Sequence, residues 1–189
     1  MVKKSNKLKL MFDFIKKHKR IILIITILLF TSLLLLDYVK AVFYSIIFIG
    51  ISSVSKTYQR IIKSSIGIDL VLFSTLMISL AYHNIVLTFL VSYISLILAD
   101  IIGTKLSHTS LVSLIGLTII IFVSSFNFGL NIMYTMILLS LVYSIITSLL
   151  YYYMLGSSPQ RISLYFFSQI IFNLIIIINL SIPINNLIV

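Results

Sequence analysis

Short rows of polar side chains interrupt a strongly apolar sequence and are its main candidates for chemistry. Thr75, Ser79 and His83 follow one another at intervals of four residues, and Gln169 and Asn173 repeat that spacing further along the chain. Residues four apart lie on one face of an α-helix, so each row points one way. Because a polar side chain in an apolar segment is costly unless it faces protein or water, the rows mark inward faces.

Two interpretations of these rows are open. In the first, the side chains hydrogen-bond between helices and only hold the structure together, which is worth about 0.6 kcal/mol for each bond in a membrane. In the second they bind a small solute. A pocket opening outward would use His83, Asn84, Asn127 and Asn131, although a solvated loop explains the same residues. The candidate binding residues are therefore Thr75, Ser79, His83, Asn84, Asn127, Asn131, Gln169 and Asn173.

A second candidate group is charged. Asp69 and Asp100 are expected near the same ends of two neighbouring helices, and the nearest cations in the sequence are Lys63, Lys105 and Arg161. We expect Asp69, Asp100, Lys105 and Arg161 to form a charge cluster that fixes helix ends or contacts a partner. Helix-end carboxylates beside loop cations are common surface features, and catalysis is not needed to explain them.

The residues that enzymes and metal sites require are scarce. The chain contains no Cys and no Glu, and it lacks the HExxH, GxSxG and Walker motifs. We therefore expect no enzyme activity, no cofactor and no bound metal. Any active transport would depend on an ATPase carried by another chain.

The elements that position these residues are predicted to be transmembrane helices. Of the 189 residues, 60% are hydrophobic and only 10% are charged, whereas soluble domains carry about 25% charge. The sequence predicts an all-α, polytopic helical bundle of six to seven spans. The candidate spans are 21–36, 39–54, 66–83, 84–103, 109–126, 128–155 and 162–180. The first two are short enough to form a hairpin that does not fully cross.

The positive charge predicts the orientation of the bundle. The net charge is +10, but eight of the 14 Lys and Arg residues lie in segment 1–20, so the excess does not indicate nucleic-acid binding. If the N-terminus is cytoplasmic, all Lys and Arg residues except Lys40 lie on the inner side. This agrees with the excess of Lys and Arg found in cytoplasmic loops. We expect residues 1–20 to form a basic amphipathic helix on the cytoplasmic surface of the bilayer and residues 21–189 to form one domain. A cleaved signal peptide is the alternative, but no small-residue cleavage site follows Leu36.

Part of the chain resembles the substrate-binding (S) components of energy-coupling factor transporters. The similar motifs are Ile68-Asp69-Leu70, Ala81-Tyr82-His83 and Ala99-Asp100-Ile101, together with the loop 156–161 and the later Gln169 to Asn173. The resemblance implies a helical bundle that captures a vitamin-like solute. It also implies a partner, a separate transmembrane scaffold with cytoplasmic ATPases. Chains of this size also resemble the rod-shape-determining MreD family, which would imply a membrane scaffold that binds no solute.

Overall fold

The described part of the chain consists of helices. The computed structural model describes residues 38–57, 70–103, 108–126 and 128–188, and within them there are six helices and no strand. The all-α prediction is therefore confirmed for these residues. The helices are α1 (Tyr38–Val54), α2 (Val71–Tyr82), α3 (Ile85–Gly103), α4 (His108–Ser124), α5 (Ile132–Leu155) and α6 (Pro159–Ile188). The predicted segments 1–20 and 21–36 lie outside the described residues.

Contacts divide the chain into the units Met1–Lys40 and Ala41–Val189, and every contact described below lies within the second unit. Successive helices from α2 to α6 are joined by connections of two to seven residues and pack against one another, so they alternate in direction. The bundle has two ends. The His83 end carries the connection between α2 and α3 and the segment 125–131, and the Asp100 end carries Ser55–Thr57, Gly103 and the loop 156–158.

The distribution of polarity is the reverse of that in a soluble protein. On α3, the buried side chains include Thr88, Ser92 and Ser95, whereas Val86, Leu90 and Ile101 are each more than half exposed. α1, α4, α5 and α6 likewise present large apolar side chains outward. Such a surface is stable against lipid, where apolar side chains are favoured and interior hydroxyls can bond between helices. We conclude that the chain is a membrane protein.

Three helices have the length and composition to cross a bilayer: α3, α5 and α6. α3, with 19 residues, is about 28 Å long at 1.5 Å per residue, close to the roughly 30 Å of hydrocarbon in a bilayer. α1, α2 and α4 are apolar but shorter, with 10 to 17 residues each.

α2 is the central element of the bundle. Nine consecutive residues, from Val71 to Ser79, are buried on all sides of the helix. α2 packs against α3, α4, α5 and α6, and the hydroxyl of Ser74 hydrogen-bonds that of Ser52 on α1 at 2.5 Å. Its hydrophobicity is nearly uniform around the axis, as expected of a helix with no solvent-facing side.

Local sequence explains the helix boundaries near the Asp100 end. α5 stops because Gly156 takes the left-handed conformation (φ 57°), which glycine adopts without strain. α6 then begins at Pro159, three residues before the predicted start at 162, with the carbonyl of Ser158 accepting from the N–H of Ile162. Proline is favoured at the first helical position because the N–H that it lacks would have no helical partner there. α6 also continues through Pro183 to Ile188, beyond the predicted end at 180.

Candidate functional site

His83 has the most unusual backbone of the candidate residues. It follows the last residue of α2 with φ 48° and ψ 28°, and it is the non-glycine residue with positive φ among those described. Its N–H donates to the carbonyl of Ser79 at 3.0 Å and so closes the helix. A non-glycine residue in this conformation costs about 1 kcal/mol and is found often at ligand sites. The imidazole is exposed.

The backbone beside His83 is held by a hydrogen bond between two helices. The hydroxyls of Ser79 on α2 and Ser124 on α4 lie 2.6 Å apart, and both side chains are buried. This bond fixes the end of α2 against the end of α4, from which segment 125–131 starts. The predicted row of Thr75, Ser79 and His83 is therefore divided, because Ser79 bonds another helix and Thr75 donates to the carbonyl of Val71 in its own helix at 2.8 Å.

A pocket of about 180 Å³ lies at the His83 end. Most of its lining residues are apolar, and its polar side chains are the imidazole of His83 and the hydroxyl of Thr135. The lining residues are Leu80, His83, Phe126, Phe128, Leu130, Ile132 and Thr135. We refer to this space as the His83 pocket. It is a half-open space that can contact a small molecule through apolar and aromatic groups and offer it one imidazole as donor or acceptor.

The asparagines predicted for the outward pocket have structural roles where they are described. The side chain of Asn84 accepts from the N–H of Leu87 at 3.0 Å, and that of Asn131 accepts from the N–H of Met133 at 3.2 Å. Both residues thus cap the first turns of α3 and α5, a role for which asparagine is preferred. Asn127 lies outside the described residues. Of the predicted set, His83 lines the His83 pocket, whereas sequence reasoning missed Thr135 and the two phenylalanines.

Gln169 and Asn173 lie together near the middle of α6 and face the interior. Each side chain is 2% exposed. The side-chain oxygen of Gln169 and the side-chain nitrogen of Asn173 are buried without a hydrogen-bond partner. Buried amides normally have hydrogen-bond partners, so these two groups depart from the usual pattern.

The charged candidates are arranged differently from the expectation. Asp100 on α3 binds Lys56, which follows α1, with 2.8 Å between Nζ and Oδ1 and with both side chains less than a tenth exposed. The second carboxylate oxygen of Asp100 is buried without a partner. The expected partners were Lys63, Lys105 and Arg161. Arg161 is exposed in the first turn of α6, and Asp69, Lys63 and Lys105 lie outside the described residues.

Gly103 explains how Lys56 comes so close to α3. A Cβ atom at Gly103 would lie 2.7 Å from the carbonyl oxygen and 2.9 Å from Cβ of Lys56. Only a glycine allows the two chains to approach this far. The contact joins parts of the chain that are distant in sequence, so no local sequence pattern predicts it.

The described residues hold no group of three or more His, Cys, Asp or Glu side chains that could bind a metal ion. The described residues form a small pocket that contains an imidazole, a buried pair of amides and a buried ion pair. Comparisons with known proteins return no match: no protein-family model matches the chain, and no curated protein or solved structure matches it.

Proposed function

We propose that the protein is a multi-pass membrane protein that captures a small solute, the substrate-binding subunit of an uptake transporter driven by a separate ATPase. The observation that carries the proposal is the His83 pocket. It combines a half-open space, lined mostly by apolar residues, with an imidazole held on a strained backbone at the hydrogen-bonded ends of α2 and α4. Strain of this kind persists where the surrounding structure enforces it, and ligand sites are a common reason.

The orientation of the pocket is part of the proposal. The connections at the Asp100 end carry Lys56, Arg60, Lys63, Lys105 and, at the start of α6, Arg161, whereas the connections 83–84 and 125–131 at the His83 end carry no Lys or Arg. Cytoplasmic loops concentrate positive charge. We therefore place the Asp100 end and the N-terminus in the cytoplasm and the His83 pocket on the outer side, in a bundle of six to seven crossings.

Dependence on other chains is part of the proposal. With no Walker motif and no Cys or Glu, the chain lacks the usual means of hydrolysing ATP, and we propose a binding role without catalysis. The partners in this proposal are the lipid bilayer, an unidentified vitamin-like solute, and a transmembrane scaffold with cytoplasmic ATPases. The resemblance to the substrate-binding components of energy-coupling factor transporters agrees with this assignment.

A scaffold of the MreD type is the second candidate, and one observation favours it. Several polar side chains form hydrogen bonds between helices. Examples are the hydroxyl pairs of Ser52 with Ser74 and of Tyr93 with Thr118, the latter at 2.8 Å. A scaffold needs such bonds and no open pocket. The His83 pocket and the buried amides are what this alternative leaves unexplained.

Thermal unfolding of the purified protein with a library of vitamins and their precursors tests the proposal. A ligand at 100 times its Kd stabilises a protein by about 2.7 kcal/mol, so binding raises Tm. We expect Leu130→Trp, which fills the His83 pocket, to abolish the rise. Leu138→Trp, on the exposed side of α5, is the matched control and should retain it.

Co-purification from the native host in mild detergent separates the two candidates. Recovery of an ATPase pair with a membrane scaffold supports transport. Recovery of cell-wall or division proteins, with no library member raising Tm, would replace the transport proposal with the scaffold.

A further inference from the structure

Buried polar groups recur along one row of α6. Gln169, Asn173, Ile177 and Ser181 are spaced four residues apart, and each is at most 2% exposed. Three of the four are polar, and each of these three has a side-chain atom that is buried without a hydrogen-bond partner. A row of every fourth residue is one of the ridges by which a helix packs against its neighbours, here α5 and α2.

The register of α5 against α6 relates this row to the His83 pocket. The rings of Tyr151 and Tyr165 stack edge to face with centroids 4.9 Å apart, near the Asp100 end. The two helices run in opposite directions. Toward the His83 end, residue numbers therefore decrease along α5 and increase along α6. This places Asn173 at the level of Tyr143 and Ser181 at the level of Thr135, which lines the His83 pocket.

The unpartnered groups make no hydrogen bond to the described protein atoms. On α5, the hydroxyls of Ser144 and Thr147 donate within their own helix to the carbonyls of Ser140 and Tyr143, each at 2.9 Å, whereas the hydroxyl of Ser148 is also buried without a partner. Leaving a polar group unpaired away from water is destabilising. Water molecules bound between polar groups remove that cost.

The chemistry of the row is neutral. α2 and α5 contain no charged residue. The one charged residue of α6 is Arg161, at the end of the helix that we place in the cytoplasm. Within a membrane an ion without a counter-charge is strongly disfavoured, whereas amide side chains pair with amides and hydroxyls.

We propose that Gln169, Asn173 and Ser181 form a hydrated row that continues the His83 pocket into the middle of the bundle and binds neutral molecules bearing amide or hydroxyl groups. Ile177 is the apolar member between Asn173 and Ser181. The inference deepens the proposed function, because the solute would enter from the His83 pocket, but its test does not require the solute to be known.

Silver ion reactivity of single cysteines tests the hydration, since the chain has no natural Cys. Ser181→Cys, Asn173→Cys and two lipid-facing controls on the same helix, Ile175→Cys and Ile178→Cys, are reconstituted in lipid nanodiscs and exposed to silver nitrate. Free thiol is then counted by alkylation after denaturation. Because the thiolate is the reactive form and is favoured by water, we expect both row variants to react at least about tenfold faster than the controls.

The order and competition of the reactions test the direction and the ligand class. Ser181→Cys should react faster than Asn173→Cys, and acetamide should slow Asn173→Cys more than sodium nitrate of equal osmolality. If Asn173→Cys reacts no faster than Ile175→Cys, the row is dry and the inference fails, even where Leu130→Trp still abolishes solute binding. If acetamide and sodium nitrate act alike, the assignment to neutral solutes fails.

Discussion

At the scale of single residues, His83 combines a strained backbone with a side chain in the pocket. Glycine adopts positive φ without the steric cost that other residues bear. Stability and binding should therefore respond in opposite directions to a change at this position. Such opposite responses distinguish a residue whose side chain serves binding from one whose backbone conformation serves the fold.

His83→Gly is expected to leave Tm unchanged or to raise it, through relief of about 1 kcal/mol of strain, and to remove any solute-dependent rise in Tm. Gly129→Ala is the reciprocal control, because Gly129 has φ 64° with open space around it and the substitution adds strain alone. Thermal unfolding in detergent measures both. A fall in Tm for His83→Gly would mean that the imidazole stabilises the fold.

The ion pair of Lys56 and Asp100 is the other residue-scale feature. Its two charges lie 2.8 Å apart in the interior, but one carboxylate oxygen has no partner. Such a pair contributes little net stability over apolar residues of similar size, whereas removing one member leaves a buried charge uncompensated.

Asp100→Leu should lower the free energy of unfolding by about 3 kcal/mol, and Lys56→Met/Asp100→Leu should lower it by less than Asp100→Leu alone. Denaturant titration in mixed micelles gives the values for a double-mutant cycle. Arg161→Met, at an exposed cation, is the control and should change stability little. Strictly additive losses would show that the two charges are not coupled.

At the scale of helices, α1 is fixed to α3 by a close approach at Gly103. Its end contacts α3 through the backbone of Lys56, and its middle contacts α2 through Ser52 and through Phe48, whose ring lies 6.4 Å from that of Phe73. Small residues in membrane helices act in this way because close backbone approach increases packing contacts.

Gly103→Ala should destabilise the protein, since its Cβ would meet backbone atoms of Lys56 that cannot rotate away. Overpacking of this kind costs about 1 to 3 kcal/mol. Gly50→Ala is the matched control, because nothing lies within 4 Å of the added methyl group and alanine favours the helix. Equal effects of the two substitutions on Tm would contradict the close approach.

Helix positions were predictable where the local sequence marks both ends. α3 was expected at 84–103 and is found at Ile85–Gly103, between an asparagine cap and a glycine. The predicted start of α6 is too late because the loop predicted at 156–161 includes Pro159. Proline is in fact favoured at the first helical position.

The candidate site was less predictable, because its features depend on which helices meet. A helix as uniformly apolar as α2 looks alike in sequence whether it faces lipid or lies at the centre. The partner of Asp100 proved to be Lys56, 44 positions away. The burial of Gln169 and Asn173 was anticipated, since amides in apolar segments turn inward.

At the scale of the whole molecule, the proposed orientation puts the two ends of the bundle in different compartments. Ser158 lies in the loop at the Asp100 end, three residues before Arg161, whereas Ser125 lies in the segment beside the His83 pocket. Both serines are exposed. They therefore form a matched pair for locating the two ends.

Ser125→Cys should react with a membrane-impermeant maleimide on right-side-out vesicles, and Ser158→Cys should react only after the vesicles are opened. The natural chain, without Cys, gives the background. The reverse pattern would turn the bundle over and would place the His83 pocket on the cytoplasmic side.

The enclosure of α2 has a consequence for biogenesis. Twelve residues extend about 18 Å, well short of the hydrocarbon thickness, so this segment gains little from lipid on its own. Two of the helices that pack against it, α5 and α6, are synthesised after it. Its final environment is complete only once α6 has been synthesised, so nascent chains truncated before α5 should expose α2 to quality-control proteases.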